Sequence, residues 1–128
     1  MNKNDLEKRT KVFALRVVKF VNQLPAGRAS DVLGRQLLKS GTSVGANYRE
    51  ANRAESYDDF IHKIALCEKE ASESQYWLEL LNEADIKGLV MDASLLQEAT
   101  ELLAIFTSIG KTARSRRNDS STNSKRSS

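Results

Sequence analysis

Between about Ser56 and Asp85 the chain repeats apolar or small residues every seven positions for four heptads, and this feature constrains the fold most strongly. Such a repeat lines one stripe of an α-helix, and two interleaved sets make the a and d seam that packs against neighbouring helices. Ser56 and Asp59 have the spacing of a helix N-terminal cap, so a helix is predicted to begin there. The pair Lys87-Gly88 is typical of a helix C-terminus and predicts its end. The two sets are Tyr57, Ile64, Ala71 and Leu78, and Phe60, Cys67, Ser74 and Leu81.

Three other segments have the same helical periodicity. The first covers about 5–23 and ends at a proline-glycine turn, Pro25-Ala26-Gly27. The second begins near Ser30 or Asp31, either of which suits an N-cap, and continues to about 54. The last covers about 92–113, and Asp92 is expected to be its N-cap. Three valines are expected to broaden the apolar stripe of the first segment: Val12, Val18 and Val21.

Two glycines four residues apart, Gly41 and Gly45, interrupt the second segment. Each weakens a helix by about 1 kcal/mol relative to alanine. They indicate a kink, a break at which Thr42 or Ser43 caps a second piece, or a point where another helix approaches closely. The sequence leaves these three alternatives open.

Four amphipathic segments with short connections predict an all-α fold, an antiparallel up-down-up-down four-helix bundle over residues 1–113. No segment has the alternation of a β-strand. Residues 114–128 are basic and rich in serine and arginine, without a large apolar side chain. They cannot bury enough surface to offset the entropy of ordering, so a disordered tail is predicted.

Charge is divided unevenly along the chain, although the net charge is only +3. Residues 1–54 carry eleven bases and four acids, residues 55–110 three bases and twelve acids, and residues 111–128 six bases and one acid. Either the acidic block packs beside the basic ones within one molecule, or opposite faces of separate copies attract each other. A uniformly basic nucleic-acid-binding protein would not have this pattern.

Composition excludes several classes of protein. No stretch approaches the roughly 18 apolar residues that span a membrane, and the first residues are too polar for a secretory signal. The single cysteine, Cys67, excludes an internal disulfide framework and any multi-cysteine zinc site. We therefore expect a cytoplasmic protein without a membrane partner.

No set of residues predicts catalysis. A di-iron centre in a bundle needs several glutamates and two Glu-x-x-His units, whereas this chain has one histidine, His62. Cys67 lies on the predicted seam, roughly 140° around the helix from that histidine, and is expected to act as a small core residue. We therefore expect no catalytic residue, metal, cofactor or small-molecule substrate, and a protein that is not an enzyme.

Residues 39–51, KSGTSVGANYREA, and 53–63, RAESYDDFIHK, resemble the four-helix bundle protein family, which is also known as the 23S rRNA intervening-sequence protein family. The resemblance covers roughly residues 5–113 and is most specific between the second and third helices. It implies a bundle that forms homopentamers. Related accessory proteins of diversity-generating retroelements form similar pentamers and engage nucleic acid. The family supplies no catalytic residues.

Two hypotheses of function follow. In the first, the chain is a homo-oligomeric assembly or interaction module, a pentamer by resemblance, whose basic and acidic blocks meet across head-to-tail interfaces. In the second, it is an accessory protein that binds RNA or DNA through its basic half and tail. Candidates for packing or oligomer contacts are Arg16, Asn47, Glu50, Glu70, Glu73 and Trp77. Candidates for nucleic-acid contacts are Arg49, Arg53, Arg114, Arg116 and Arg117.

Overall fold

The computed structural model describes the backbone of residues 1–127 and the side chains of residues 1–119. Over that range it contains four α-helices and no β-strand. The helices are α1 (Lys3–Asn22), α2 (Arg28–Ala51), α3 (Tyr57–Glu83) and α4 (Ala93–Ser127). The predicted all-α fold class is confirmed, because each periodic segment of the sequence corresponds to one helix.

Side-chain contacts connect residues near the start of one helix to residues far along a neighbouring helix. Three hydrogen bonds illustrate this: Asn52 to Glu7 at 3.2 Å, Lys63 to Glu50 at 3.0 Å, and Tyr57 to the carbonyl oxygen of Ala113 at 2.9 Å. Adjacent helices are therefore antiparallel, as predicted. Both α1 and α3 pack against α2 and α4, whereas the described backbones of α1 and α3 do not approach each other closely, so the two helices are diagonal in the bundle.

Two of the predicted helix caps are present. The Ser56 hydroxyl accepts a hydrogen bond from the backbone N–H of Asp59 at 3.0 Å, and Asp92 accepts one from Leu95 N–H at 3.1 Å. These bonds satisfy backbone donors that the first turn of a helix leaves unpaired. Local sequence thus fixes where α3 and α4 begin.

The predicted start of α2 at Ser30 or Asp31 is wrong. The helix begins at Arg28, after Gly27, whose φ of 151° lies in a region that side chains other than glycine rarely adopt. Ser30 lies inside the first turn and is buried, and its hydroxyl has no partner among the described residues. A backbone conformation open to glycine, rather than a capping side chain, determines this helix start.

The core lies between all four helices and includes the predicted seam of α3 except in its first heptad, where Tyr57 is 44% exposed and Phe60 only partly buried. Cys67 and Leu78 are completely buried, and Ser74 is buried with its hydroxyl donating to the Ser40 hydroxyl at 2.9 Å. The largest fully buried side chains from the other helices are Phe13, Val17, Leu37, Val44, Leu95, Leu102 and Phe106. Apolar burial of this kind supplies the main favourable free energy of folding.

The two central glycines of α2 mark close approach between helices, and α2 is continuous through them. A Cβ atom at Gly41 would lie 2.8 Å from Cγ2 of Val17, and one at Gly45 would lie 3.1 Å from Oγ1 of Thr10. The hydroxyl of Thr42 bonds the Leu38 carbonyl oxygen within the same helix, so it does not cap a second piece. Of the three alternatives, the structure selects close packing against α1.

Helix α4 extends past the last residue of the core. Ala113 is 4% exposed, and all described side chains after it are exposed. The backbone nevertheless remains helical across the predicted boundary at residue 114 and on to Ser127. Much of the predicted disordered tail, residues 120–128, lies outside the residues whose side chains are described.

Candidate interaction surfaces

A groove of about 480 Å³ runs along the surface where the first half of α1 packs against the last half of α2. Small residues, among them Ala14 and Gly45, line it because the two helices approach closely there. Three cations also line it: Lys11, Arg49 and Arg53. We call this feature the basic groove.

The two carboxylates in the basic groove are both engaged with other residues. Glu7 accepts a hydrogen bond from Asn52 at 3.2 Å, and Glu50 accepts one from Lys63 of α3 at 3.0 Å. Among the described side chains, none forms an ion pair with the groove's three cations. The groove therefore carries one more cation than carboxylates, and none of its three cations is held in an ion pair by a described carboxylate.

Among the described side chains, no arginine of α2 pairs with a glutamate of α3 within one chain. Instead, the one ion pair between the two helices in the described part of the molecule has the opposite polarity, with the acid on α2 and the base on α3. Arg49 and Arg53 are exposed, and Glu70 and Glu73 are partly buried on α3. Pairing of these residues between copies stays a prediction.

On the other side of the α2–α3 connection lies a cavity of about 610 Å³. Its lining includes the rings of Tyr57 and Phe60, which stack with centroids 6.0 Å apart, and the apolar side chain of Ile109. Arg116 is the cation in the lining, and Tyr57 is 44% exposed. We call this feature the aromatic cavity.

The three tail arginines have different surroundings. Arg117 forms an ion pair with Asp58 at 3.0 Å, whereas Arg116 lines the aromatic cavity. Arg114 is exposed on the last stretch of α4 whose side chains are described. Since Arg117 already has a carboxylate partner, Arg116 is the tail arginine best placed to contact a ligand in the cavity.

The surface of α3 is acidic and partly aromatic. The helix carries seven acids and two bases, and Tyr76 is 53% exposed with its ring edge-on to Trp77 at 5.1 Å. Burial raises the pKa of Glu70, and repulsion from Glu73 raises it further. The Nε1 atom of Trp77 is buried without a hydrogen-bond partner among the described residues. Glu70, Glu73 and Trp77 follow each other at spacings of three and four residues on α3, and Tyr76 lies next to them, so these four residues form the part that we call the acidic surface of α3.

The outward side of α1 carries three exposed apolar residues, two of which were expected to lie in the core stripe. Val12 is 54% exposed, Leu15 60% and Val18 37%, so the expectation that Val12 and Val18 broaden the core stripe is wrong. Leu15 is opposite the buried residues of α1 on a helical projection with 100° per residue. That projection, applied to the sequence, would have identified all three as outward-facing.

Lysines surround these three residues on the same side of α1. The projection places Lys8, Lys11 and Lys19 among Val12, Leu15 and Val18, and all six are exposed. The helix as a whole carries six bases and two acids. The outward face of α1 is therefore apolar at its centre and basic around it, in contrast to the acidic surface of α3.

Arg16 and Asn47 serve contacts within the bundle. Arg16 donates to the Ser94 hydroxyl at 2.7 Å and lies 3.6 Å from a carboxylate oxygen of Asp92, which joins α1 to α4. Asn47 donates to the carbonyl oxygen of Ser43, one turn earlier in its own helix, at 2.9 Å. Both candidates for packing are thus occupied inside a single chain.

The described residues contain no cluster of three or more histidine, cysteine, aspartate or glutamate side chains arranged to hold a metal ion. Burial raises the pKa of the Cys67 thiol to about 12, so the nucleophilic thiolate does not form near neutral pH. Over the same part of the chain, no helix combines the length and the apolar character that crossing a bilayer requires.

Comparisons with known proteins agree with the fold. The model of the family described as 23S rRNA-intervening sequence protein matches residues 2–108. A solved structure, that of a protein of unknown function from the S23 ribosomal protein family of Bacteroides thetaiotaomicron VPI-5482, is 37% identical with a TM-score of 0.76. The match covers 87% of this chain and 99% of that one. A comparison with curated proteins found no match.

Proposed function

Because the chain belongs to the 23S rRNA-intervening sequence protein family, we propose that it acts as a homo-oligomeric assembly module rather than as an enzyme. The outward face of α1 in one copy packs against the acidic surface of α3 in the next copy. The observation that best supports this arrangement is the contrast between those two faces, which belong to diagonal helices of one bundle.

Geometry prevents the two faces from neutralising each other within a single copy. Helices α1 and α3 lie diagonally across the core, so their outward faces point away from each other. The α1 face offers lysines around Leu15, and the α3 face offers carboxylates beside Tyr76. A head-to-tail contact between such different faces closes into a ring when the rotation between copies allows it.

The properties of Glu70 and Glu73 support this interface. Removing a carboxylate from water beside another one is unfavourable unless a cation compensates, and Lys69 and Lys39 of the same chain offset the raised pKa of Glu70 only in part. A lysine from the α1 face of a second copy would supply that compensation and lower the pKa of Glu70. The contact would also cover the exposed rings and aliphatic side chains of both faces, which is favourable in water.

Light scattering coupled to size-exclusion chromatography tests the proposal with Leu15→Glu, because a carboxylate at the centre of the α1 face would repel the acidic α3 surface. We expect wild-type protein at micromolar concentration to elute as an oligomer, and the variant as a monomer with unchanged helical circular dichroism. High salt should weaken the wild-type assembly, since the surface charges are screened.

Val32→Glu is the matched control, because Val32 is 56% exposed and lies on α2, outside both proposed faces. This variant should retain the wild-type mass. A monomeric wild-type protein would refute the proposal, and so would an oligomer that Leu15→Glu leaves intact.

A further inference from the structure

We infer that one end of each bundle holds a single-stranded nucleic acid, with phosphates in the basic groove and a base in the aromatic cavity. The two features adjoin the same connection between α2 and α3. Arg53 lines the groove, and the next residue, Ala54, lines the cavity. Asn52 lines the cavity while its side chain bonds Glu7 of the groove.

The basic groove has the chemistry that a phosphodiester backbone requires. Arg49 lies in the last turn of α2, and Arg53 follows two residues after the helix ends; both line the groove. Lys11 faces them from α1, and within the described part of the chain these three cations have no carboxylate partner. Guanidinium groups bind phosphate oxygens through paired hydrogen bonds, so a bound strand would meet donors that are not already occupied.

The aromatic cavity favours an unpaired base over other anionic ligands. Its volume of about 610 Å³ is within the range of small-ligand sites, and it combines aromatic and aliphatic walls with hydroxyl groups and Arg116. Bases stack on such rings without strong sequence preference. A duplex keeps its bases stacked inside and cannot insert one without unpairing it. A polyglutamate peptide has negative charges for the groove but no flat ring to fill the cavity.

The groove shares Lys11 with the α1 face of the proposed assembly, but every residue of the site comes from one copy, so a single copy is sufficient to bind the strand. Fluorescence anisotropy with a labelled strand of roughly ten uridines tests it, a length within the usual site size of such proteins. A DNA strand of ten thymidines, a duplex of equal length and a polyglutamate peptide serve as competitors. We expect both single strands to compete, with the duplex and the peptide at least tenfold weaker.

Two paired sets of variants separate the groove from the cavity. Arg49→Gln with Arg53→Gln should weaken binding and lower the slope of log affinity against log salt by about 1.4, since two phosphate contacts to a single strand are lost. Arg28→Gln with Arg35→Gln removes the same charge from exposed positions nearer the other end of α2, and should keep the wild-type slope.

Tyr57→Ala removes an exposed ring of the cavity and should weaken binding about tenfold without changing the salt slope. Tyr57→Phe keeps the ring but loses the hydrogen bond to Ala113, so it should bind like the wild type. Circular dichroism and the mass of each variant show whether folding or assembly has changed.

Several results would overturn the inference. They are the absence of measurable binding at low salt, equal binding of the duplex or the peptide, equal losses in the two arginine pairs, and an unchanged affinity in Tyr57→Ala. Each of these results is a measurement of binding affinity, whereas the proposed assembly is tested by measuring the molecular mass. A monomer that binds the strand would refute the assembly alone, and an oligomer that does not bind would refute the site alone.

Discussion

Helix α1 packs against its two neighbours in different ways. Towards α2 the helices approach closely because Gly41 and Gly45 have no side chains, and Val17 and Thr10 fill the space. Towards α4 the contact includes long charged side chains: Arg9 donates to both carboxylate oxygens of Glu98, at 2.9 and 2.6 Å. The first contact depends on shape, with Val17 and Thr10 fully buried, whereas the second depends on charge and remains partly exposed.

This difference has consequences for stability. Close packing between apolar surfaces is insensitive to salt and pH but tolerates little added volume. Ion pairs at a partly exposed contact respond to both salt and pH, but a single substitution there costs less. The two sides of α1 should therefore respond to different perturbations.

The largest effect is expected at the α1–α2 contact. Gly41→Ala would place a Cβ atom within 3.2 Å of three atoms of Val17, which is buried and β-branched and cannot move away easily. We expect a loss of about 1–2 kcal/mol in the free energy of unfolding, after the gain in helix propensity is subtracted. Urea denaturation followed by circular dichroism measures it.

Gly34→Ala is the control for that experiment. Its Cβ would lie 2.8 Å from Cδ1 of Leu24, the end of a flexible and partly exposed side chain that can rotate away. The helix-propensity gain should then prevail and leave the variant as stable as the wild type or more so. Equal stability changes in the two variants would contradict the importance of close packing at Gly41.

A smaller effect is expected at the α1–α4 contact. Arg9→Met removes the ion pair with Glu98 but keeps the aliphatic stem, and should cost about 1 kcal/mol at neutral pH and low salt. The cost should decrease in high salt, whereas that of Gly41→Ala should not. A cost for Arg9→Met that is independent of salt would show that packing, rather than charge, holds α4 against α1.

The same pair predicts a dependence on pH. The hydrogen bond from Arg9 lowers the pKa of Glu98, so folding favours the ionised carboxylate and this stabilisation exists above the ordinary value of about 4.3. As the pH falls through the lowered value, the stabilisation is lost. The difference between wild type and Arg9→Met should shrink accordingly in urea denaturation at acid pH, and Glu98→Gln should show the same convergence.

The smallest effect is expected for Gly45→Ala. Its Cβ would lie 3.1–3.2 Å from the side chain of Thr10, close enough to require a shift of a few tenths of an ångström. The strain offsets the helix-propensity gain, so the free energy of unfolding should change by less than about 1 kcal/mol. A loss as large as that of Gly41→Ala would show that the α1–α2 contact is equally rigid along its length.

The interaction surfaces could be predicted only in part. The sequence identifies Arg49 and Arg53 as a basic pair, but the engagement of Glu7 and Glu50 by other residues depends on which helices are neighbours. Arg116 and Tyr57 are far apart in the chain and line one cavity only because α3 and α4 are antiparallel. The outward direction of Leu15 was accessible from the helical projection alone.

The sequence by itself determined that the chain forms four helices and where α3 and α4 begin, because periodicity and capping are local properties of neighbouring residues. Tertiary structure decided what the glycines of α2 do, since a kink, a break and a close approach all require the same residue type. It also decided that the basic α1 and the acidic α3 lie diagonally. Their separation follows from the order of helices around the core, which no local pattern encodes.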